Sequence, residues 1–262
     1  MAVMTSLDPQ LVLGAYAVGV FPMADHREAE GVYWVEPRER AILPIAGFRP
    51  SRSLRKTIAV DRFRVTADTA FAEVIALCAA STPGRPETWI NHPIEQVFRR
   101  LHAMGHAHSI ECWDGDRLVG GLYGLALGRA FFGESMVSRA TNASKVALAW
   151  LVARLKIGGF TLLDCQFQTD HLASLGAIEI PRRDYLVLLG AALGDAAAAG
   201  FAAAGAAVAS TASSVGAASA VLSADAGDFF ALDAAKMPTA EADSVSGPVS
   251  GRDILQLLGQ TS

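Results

Sequence analysis

Three parts of this sequence carry side chains able to do chemistry. The first is Asp164-Cys165-Gln166, inside the stretch Phe160 to Phe167 that reads as a strand. Side chains two apart on a strand share a face. Asp164 and Gln166 are therefore predicted to point one way and Cys165 the other, into the core. A carboxylate beside a carboxamide can act as a base or an electrostatic anchor and orient a reacting group. The same pair at a strand end can also simply bond a loop backbone. Cys165 with His171 is a second possible couple, of the cysteine-hydrolase type. His102, His106 and His108 contain an i, i+4 pair with metal-ligand spacing. Gly105 interrupts the helix between that pair, and no carboxylates or cysteines are arranged nearby, so structural histidines and no metal are predicted. The third part is basic: Arg49, Arg52, Arg55, Lys56, Arg62 and Arg64 lie within sixteen residues, opposed only by Asp61. Arg52, Arg55 and Lys56 share one face of a helix, which makes either a phosphate-binding surface or an ordinary solvated face.

The elements that must hold these groups can be read coarsely. Asp8 caps a helix that begins at Pro9 and runs to Gly19. Val32 to Val35 and Ala41 to Ile45 are short strands. Ser51 caps the basic helix to Thr57. Phe63 to Thr66 is a strand, and Thr69 to Ala80 and Pro93 to Gly105 are helices, the second ended by its glycine. The pattern then turns to strands: His108 to Trp113, a hairpin turn at Asp114-Gly115-Asp116, Leu118 to Leu125, and Arg129 to Ser135. A long helix over Ser144 to Ile157, the strand Phe160 to Phe167, a helix over Thr169 to Gly176 and the segment Pro181 to Leu189 complete the body. Helices, then a meander of antiparallel strands, a long helix and a further strand give the layout of an α+β, acetyltransferase-like (GNAT-like) domain. The predicted division is a small N-terminal domain over 1–60, a catalytic domain over 61–190 and a tail over 191–262.

Composition sets the limits. Of 262 residues, 52% are hydrophobic and 18% charged, with mean hydropathy +0.31 and net charge −4. That excludes a wholly disordered chain. Three cysteines (Cys78, Cys112, Cys165) without CxxC spacing exclude a disulfide scaffold. MAVMTSLDPQ has neither a basic n-region nor a long apolar h-region, so no secretory signal is expected and the cytoplasm is the expected compartment. The tail is low in complexity. Between Gly190 and Ala224 the only charge is Asp195, and glycines and hydroxyl residues interrupt the alanines. That argues for a largely disordered linker and against a membrane span. From Asp195 onward seven acidic residues face two basic ones, net −5, so the body carries +1. Arg252 to Leu258 can form a short amphipathic helix that docks on the body or on a partner.

Ten collinear segments are then specific. They include Phe21-Pro22, Ser51-Arg52-Ser53, Thr88-Trp89-Ile90, Leu118 to Gly124, Phe132-Gly133-Glu134-Ser135-Met136, Asn142-Ala143-Ser144-Lys145, Asp164-Cys165-Gln166, His171 to Ala177 and Ile180 to Tyr185. Over about residues 10–188 the chain closely resembles the leucyl/phenylalanyl-tRNA–protein transferases, bacterial N-end-rule enzymes. The resemblance implies transfer of leucine, phenylalanine or methionine from aminoacyl-tRNA to the α-amine of a protein beginning with Arg or Lys, which marks it for proteolysis. It implies no acetyl-CoA, metal or ATP; a monomer is the default expectation.

The resemblance carries Asp164 and Gln166 to catalytic positions. It carries Leu122, Phe131 and Met136 to the wall of an apolar cavity, where a Met adapts to different guests. Tyr16, Trp89 and Phe98 match aromatic positions around the 3′-terminal adenosine and the pocket mouth, where stacking helps. Two residues depart from the pattern: Met23 stands where a Trp often follows Phe-Pro, and Phe98 where a Tyr is frequent. Glu134 is implied as the anion for a substrate ammonium, either the aminoacyl amine or the acceptor's basic side chain. Arg52, Lys56 and Arg64 are implied as contacts to the tRNA backbone, and Arg55 is added to them because it shares the helix face of Arg52 and Lys56. Rival readings are a CoA-dependent acetyltransferase, which needs free backbone amides at a Gly-rich helix entry, and a non-catalytic tRNA-binding module.

Overall fold

The computed structural model describes residues 7–80, 87–194, 226–235 and 249–260. The Ala-rich run 195–225 lies outside the described residues. In chain order the elements are α1 (Pro9–Ala17), β1 (Phe21–Met23), β2 (Tyr33–Val35), β3 (Glu39–Ile42), α2 (Arg52–Ala59), β4 (Arg64–Ala67), α3 (Phe71–Ala79), α4 (His92–Ala103), β5 (Ala107–Asp114), β6 (Arg117–Leu127) and β7 (Ala130–Ser138). Then follow α5 (Ala143–Ile157), β8 (Leu162–Gln166), α6 (Asp170–Ser174), β9 (Ile178–Pro181), α7 (Arg182–Leu193), α8 (Ala231–Ala234) and α9 (Gly251–Gly259). The predicted caps hold. Asp8 accepts from the Gln10 N–H at 2.7 Å, and Ser51 Oγ accepts from the Leu54 N–H at 3.2 Å.

The mixed α/β architecture is one seven-stranded sheet, ordered β4-β5-β6-β7-β8-β3-β9, with a separate β1-β2 ribbon. Every pair in the large sheet is antiparallel except β7 and β8. A parallel pair needs a long crossover, and α5 supplies it. Strand alternation sends neighbours to two cores. Phe132, Tyr123 and Leu162 pack with α1, α3, α4 and α7. Phe131, Leu122 and Leu163 pack with α2, α5, α8 and α9. Twelve of the fifteen residues of α5 are buried, because the sheet covers one side of it and α2, α8 and α9 cover the other. Such a helix has apolar residues all round.

Two features depart from the sequence reading. Residues 39–59, assigned to the N-terminal unit, build into the body: β3 lies between β8 and β9, and α2 packs on α5. The physical cause is Arg40, whose guanidinium finds its carboxylate on β8. Within the tail, residues 226–235 and 249–260 are ordered against the body. The C-terminal amphipathic helix forms as predicted, and it docks on the body. No helix among the described residues is long and apolar enough to cross a membrane.

The parallel pairing of β7 with β8 covers only Ala130 to Phe132 against Leu162 to Asp164. Beyond it the two strands part, and each carries an irregularity. On β7 the register against β6 jumps from Gly133 to Ser135, leaving Glu134 as the extra residue. On β8 the register against β3 jumps from Asp164 to Gln166, leaving Cys165 extra. Bulges of this kind re-aim side chains, and both lie where the sheet opens.

Candidate active site

Two adjoining cavities occupy that opening. The first, of about 230 Å³, is lined by Leu122, Met136, Leu148, Leu151, Leu163 and Leu172, with Glu134, Cys165, Gln166 and His171 on its polar side. The second, of about 210 Å³, is lined by Phe21, Met23, Trp89 and Phe167. Glu134, Cys165, Gln166, Thr169 and Leu172 belong to both, so the two form one bilobed cleft. Each lobe is smaller than an ordinary ligand pocket of about 300–1,000 Å³. One lobe is aliphatic and the other aromatic.

The cleft contains some of the sequence-predicted residues and leaves out others. Leu122 and Met136 are cross-strand partners and line the aliphatic lobe. Trp89 lines the aromatic one. Phe131 lies on the α5 face but packs into the core, its ring 6.4 Å from Phe160 and 5.8 Å from Phe229. Tyr16 and Phe98 are fully buried, against one another and against Phe132 and Tyr123. They support the cleft from behind. Phe21, Phe167 and the α5 leucines line it unforeseen, and Met23 lines it at the position where the family pattern often has a Trp.

Asp164 and Gln166 do not share a face. Gln166 has φ +57°, a left-handed conformation that breaks strand alternation. It turns Gln166 into the cleft beside Cys165, while Asp164 points to the opposite side. There Asp164 is completely buried. Arg40 Nε donates to it at 2.9 and 3.1 Å and Nη2 at 2.6 Å. The Tyr185 hydroxyl donates at 2.9 Å and the Gln166 N–H at 2.8 Å. The guanidinium lies 4.6 Å from the rings of both Phe21 and Tyr185 and also donates to the Gly19 carbonyl at 3.0 Å. Burial works against the Arg40 charge, but Asp164 more than offsets it and holds the pKa above its ordinary value. Each guanidinium nitrogen and both carboxylate oxygens of this pair have a hydrogen-bond partner, which offsets the cost of burying the two charges.

Glu134 is the opposite case. The Tyr16 hydroxyl donates to Oε1 at 2.7 Å and Gln166 Nε2 donates to the same oxygen at 3.2 Å. Oε2 has no hydrogen-bond partner among the described residues, and Glu134 lines both lobes of the cleft. Burial pushes the Glu134 carboxyl up to about 8; the Tyr16 bond opposes this and the Asp164 charge adds to it. Glu134, Gln166, Asp164, Arg40 and Tyr185 thus form one chain of hydrogen bonds running from the cleft through the sheet.

The alternative chemistries meet specific obstacles. Cys165 faces the cleft rather than the core, because of the bulge. Burial, then Asp164, push its thiol up to about 12. No hydrogen bond joins it to His171 among the described residues, so it is no activated thiolate. His102 Nδ1 lies 2.8 Å from the Ala107 carbonyl and the ring stacks on Phe71. His108 pairs with Asp68 at 2.7 Å and stacks on Phe229. No group of three or more His, Cys, Asp or Glu among the described residues has metal-binding geometry. At the start of α5 the Ala143 N–H bonds the Ala140 carbonyl and the Ser144 N–H bonds Ser138 Oγ. Those amides are spent, so they do not hold a pyrophosphate.

Arg52, Arg55 and Lys56 are exposed on α2, with no ion-pair partner among the described residues. Beneath them Leu54 and Ile58 are buried in the same core cluster as Leu148 and Leu151 of α5. Arg62 is tied to Asp114 by two bonds, at 2.9 and 2.8 Å. Arg64 lies 5.0 Å over the Trp113 ring.

Comparison with known proteins agrees with this layout. Residues 42–190 match the family model described as leucyl/phenylalanyl-tRNA protein transferase, and residues 5–38 match the N-terminal domain of the same name. The chain is 62% identical over 259 residues to the leucyl/phenylalanyl-tRNA–protein transferase of Rhizorhabdus wittichii, covering 99% of this chain and all of that relative. It is 65% identical over 187 residues to that of Zymomonas mobilis, covering 71% and 70% of the two chains. Against that of Rhodospirillum rubrum it is 58% identical over 190 residues, covering 72% and 89%. The cleft, the basic helix and the layered sheet therefore belong to a member of the leucyl/phenylalanyl-tRNA–protein transferase family.

Proposed function

We propose that this protein transfers leucine or phenylalanine, and also methionine, from aminoacyl-tRNA to the α-amine of proteins that begin with Arg or Lys, and so marks them for N-end-rule degradation. The observation that carries the reading is the bilobed cleft, whose aliphatic and aromatic lobes meet at Glu134 and Gln166. The aliphatic lobe takes the aminoacyl side chain, with Leu122 and Met136 in its wall. The aromatic lobe, with Trp89 and Phe167, takes the 3′-terminal adenosine by stacking. The ester bond then lies at the junction.

The reaction needs no outside activation, because an aminoacyl ester is already reactive. The acceptor nitrogen attacks the ester carbonyl carbon, the C–N bond forms, and the C–O bond to the ribose breaks. The ribose oxygen leaves as a hydroxyl, and one proton must leave the attacking amine. An α-amine has a pKa of about 8, so the enzyme's work is mainly alignment and the handling of that proton. The Glu134 carboxylate holds the acceptor amine, takes the proton that the nitrogen loses on attack, and gives it to the departing ribose oxygen. Gln166 orients the ester or the amine with its amide. Asp164 is the positioning member of the catalytic pair. It holds the Gln166 backbone, while Arg40 neutralises its charge. Tyr16 orders Glu134 from behind, and Phe98 and Phe131 are packing beneath the site.

Arg52, Arg55, Lys56 and Arg64 hold tRNA phosphates. Backbone contacts carry little sequence information, so selection of the amino acid falls to the aliphatic lobe. The splayed parallel pair β7–β8 with its long crossover helix supports an acetyltransferase-like catalytic domain, with the N-terminal unit ending before β3. The protein acts as a cytoplasmic monomer. The test is transfer of labelled leucine from Leu-tRNA to peptides beginning with Arg, Lys, Asp or Ala, with Asp164→Ala as control. Transfer to the Arg and Lys peptides alone is the expected result. Equal transfer to all four, or none, would overturn the acceptor assignment.

A further inference from the structure

Residues 226–235 and 249–260 form a band across the side of the molecule that carries α5 and α2. The first segment, with α8, is seated by close backbone approach. Gly227 donates to the Gly128 carbonyl at 2.9 Å and Asp228 to the Gly158 carbonyl at 2.9 Å. A Cβ on Gly158 would come within 2.1 Å of the Asp228 carbonyl oxygen, so only glycine admits the segment there. Phe229 stacks on His108 with centroids 4.1 Å apart. Asp233 takes two hydrogen bonds from Arg154 of α5, at 2.7 and 2.6 Å.

The second segment lies on α2. Ser250 and Asp253 form a capping box at the start of α9. The Gly251 N–H donates to Asp61 Oδ1 at 2.7 Å, just past the end of α2. A Cβ on Gly251 would lie 1.9 Å from the Ile58 carbonyl oxygen. Ile254, Leu257 and Leu258 are buried in one cluster with Leu54 and Ile58 of α2 and with Leu148 and Leu151 of α5. At the far end Lys156 Nζ donates to the Leu257 carbonyl at 3.0 Å and also to the Gln260 carbonyl. The buried face of α2 is small, two residues on an eight-residue helix. Helices that short are marginal without packing, so α9 supplies much of what holds α2 in place.

We infer that the C-terminal band, through α9, is the positioning element of the basic helix α2, setting the geometry with which Arg52, Arg55 and Lys56 meet tRNA phosphates without entering the cleft. The inference rests on the reading of α2 as a tRNA-binding surface. A cation tethered to a fixed helix meets a phosphate at no further cost in ordering, and one on a loosened helix loses that advantage. The band therefore acts on the long donor and not on the chemistry.

The test uses the full chain with Gly251→Val, which drives α9 off the Ile58 carbonyl. Lys156→Met serves as a milder variant that removes the anchor at the other end of α9. Each is assayed with Leu-tRNA and with a minimal leucyl-adenosine donor, and amide hydrogen exchange is followed over residues 52–59. The expected result for Gly251→Val is a KM for Leu-tRNA raised about tenfold, the size of a few loosened phosphate contacts. Its kcat and the minimal-donor kinetics stay unchanged, and exchange in α2 quickens. Lys156→Met moves the same quantities in the same direction by less. Equal loss with both donors would assign the band to general stability and overturn the inference. So would faster α2 exchange with an unchanged KM, or no change in either quantity for Lys156→Met if Gly251→Val fails to fold. Lys56→Glu run alongside separates the premise: if its own KM for Leu-tRNA is unaltered, the tRNA-binding reading of α2 falls first.

Discussion

Two carboxylates stand on either side of the opening between β7 and β8, and they live in opposite surroundings. Asp164 is completely buried and receives bonds from Arg40, Tyr185 and the Gln166 backbone. Glu134 receives both of its neighbours on one oxygen, has no partner on the other among the described residues, and lines the cleft. Nothing about an Asp and a Glu in two sheet strands distinguishes them beforehand. The difference is the partner: a cation faces one and a tyrosine and an amide face the other. A carboxylate saturated by a guanidinium holds structure, whereas one with a free oxygen and a raised pKa can exchange a proton near neutral pH.

The sharpest way to break this contrast is to remove the cation. Arg40→Met leaves Asp164 buried without a counter-charge, and the expected loss is about 3–5 kcal/mol of unfolding free energy, measured by urea denaturation. A loss below about 1 kcal/mol would mean that water reaches Asp164 and that the two sides are alike. Next in size, Glu134→Gln is expected to lower kcat/KM for leucyl transfer by about 10²–10³ fold, the range of a lost proton acceptor. Its stability at pH 8 should be no lower than that of the wild type. Asp164→Asn should do the reverse in proportion, costing stability first.

The pH dependence of stability sharpens the same point. A carboxyl whose folded pKa is raised binds more protons folded than unfolded, so its contribution is full at low pH and is lost as pH rises. For Glu134 the window runs from the ordinary value of 4.5 up to about 8. The unfolding free energy of the wild type should fall across that window by an increment absent from Glu134→Gln. Identical slopes would return Glu134 to an ordinary surface carboxylate. The smallest expected effect lies farthest from either carboxylate. Lys56→Glu should raise KM for Leu-tRNA about tenfold at low salt, less at high salt, and leave a leucyl-adenosine donor unaffected.

How much of this could be read from the chain depends on the range of the forces involved. The caps at Asp8 and Ser51, the hairpin at Gly115 and the long α5 follow from neighbours a few residues apart, and they appear where the residues say. The face of a strand is equally local, until one residue leaves the strand conformation. Gln166 at φ +57° and the bulge at Cys165 took Gln166 off the face it was predicted to share with Asp164, while Cys165 stayed opposite Asp164 but faces the cleft and not the core. β9 went unrecognised because an edge strand of four residues ending in Pro181 has almost no pattern. Arg40 left one faint trace, a cation opening the apolar run Ala41-Ile42-Leu43, which must find a partner or stay in water.

By itself, then, the sequence determined the order of the longer helices and strands, the collinear segments that tie the chain to its family, the basic face of α2 and the amphipathic character of residues 252–258. Each rests on composition, spacing or local backbone preference. Tertiary structure alone decided which carboxylate is caged and which faces the cleft, that Phe131, Tyr16 and Phe98 support the site without lining it, and that α9 lies on α2. These depend on pairs such as Arg40 with Asp164, 124 residues apart, and Gly251 with Asp61, 190 apart. No local preference specifies contacts at that separation; the closing of the sheet and the packing of its two faces bring them about.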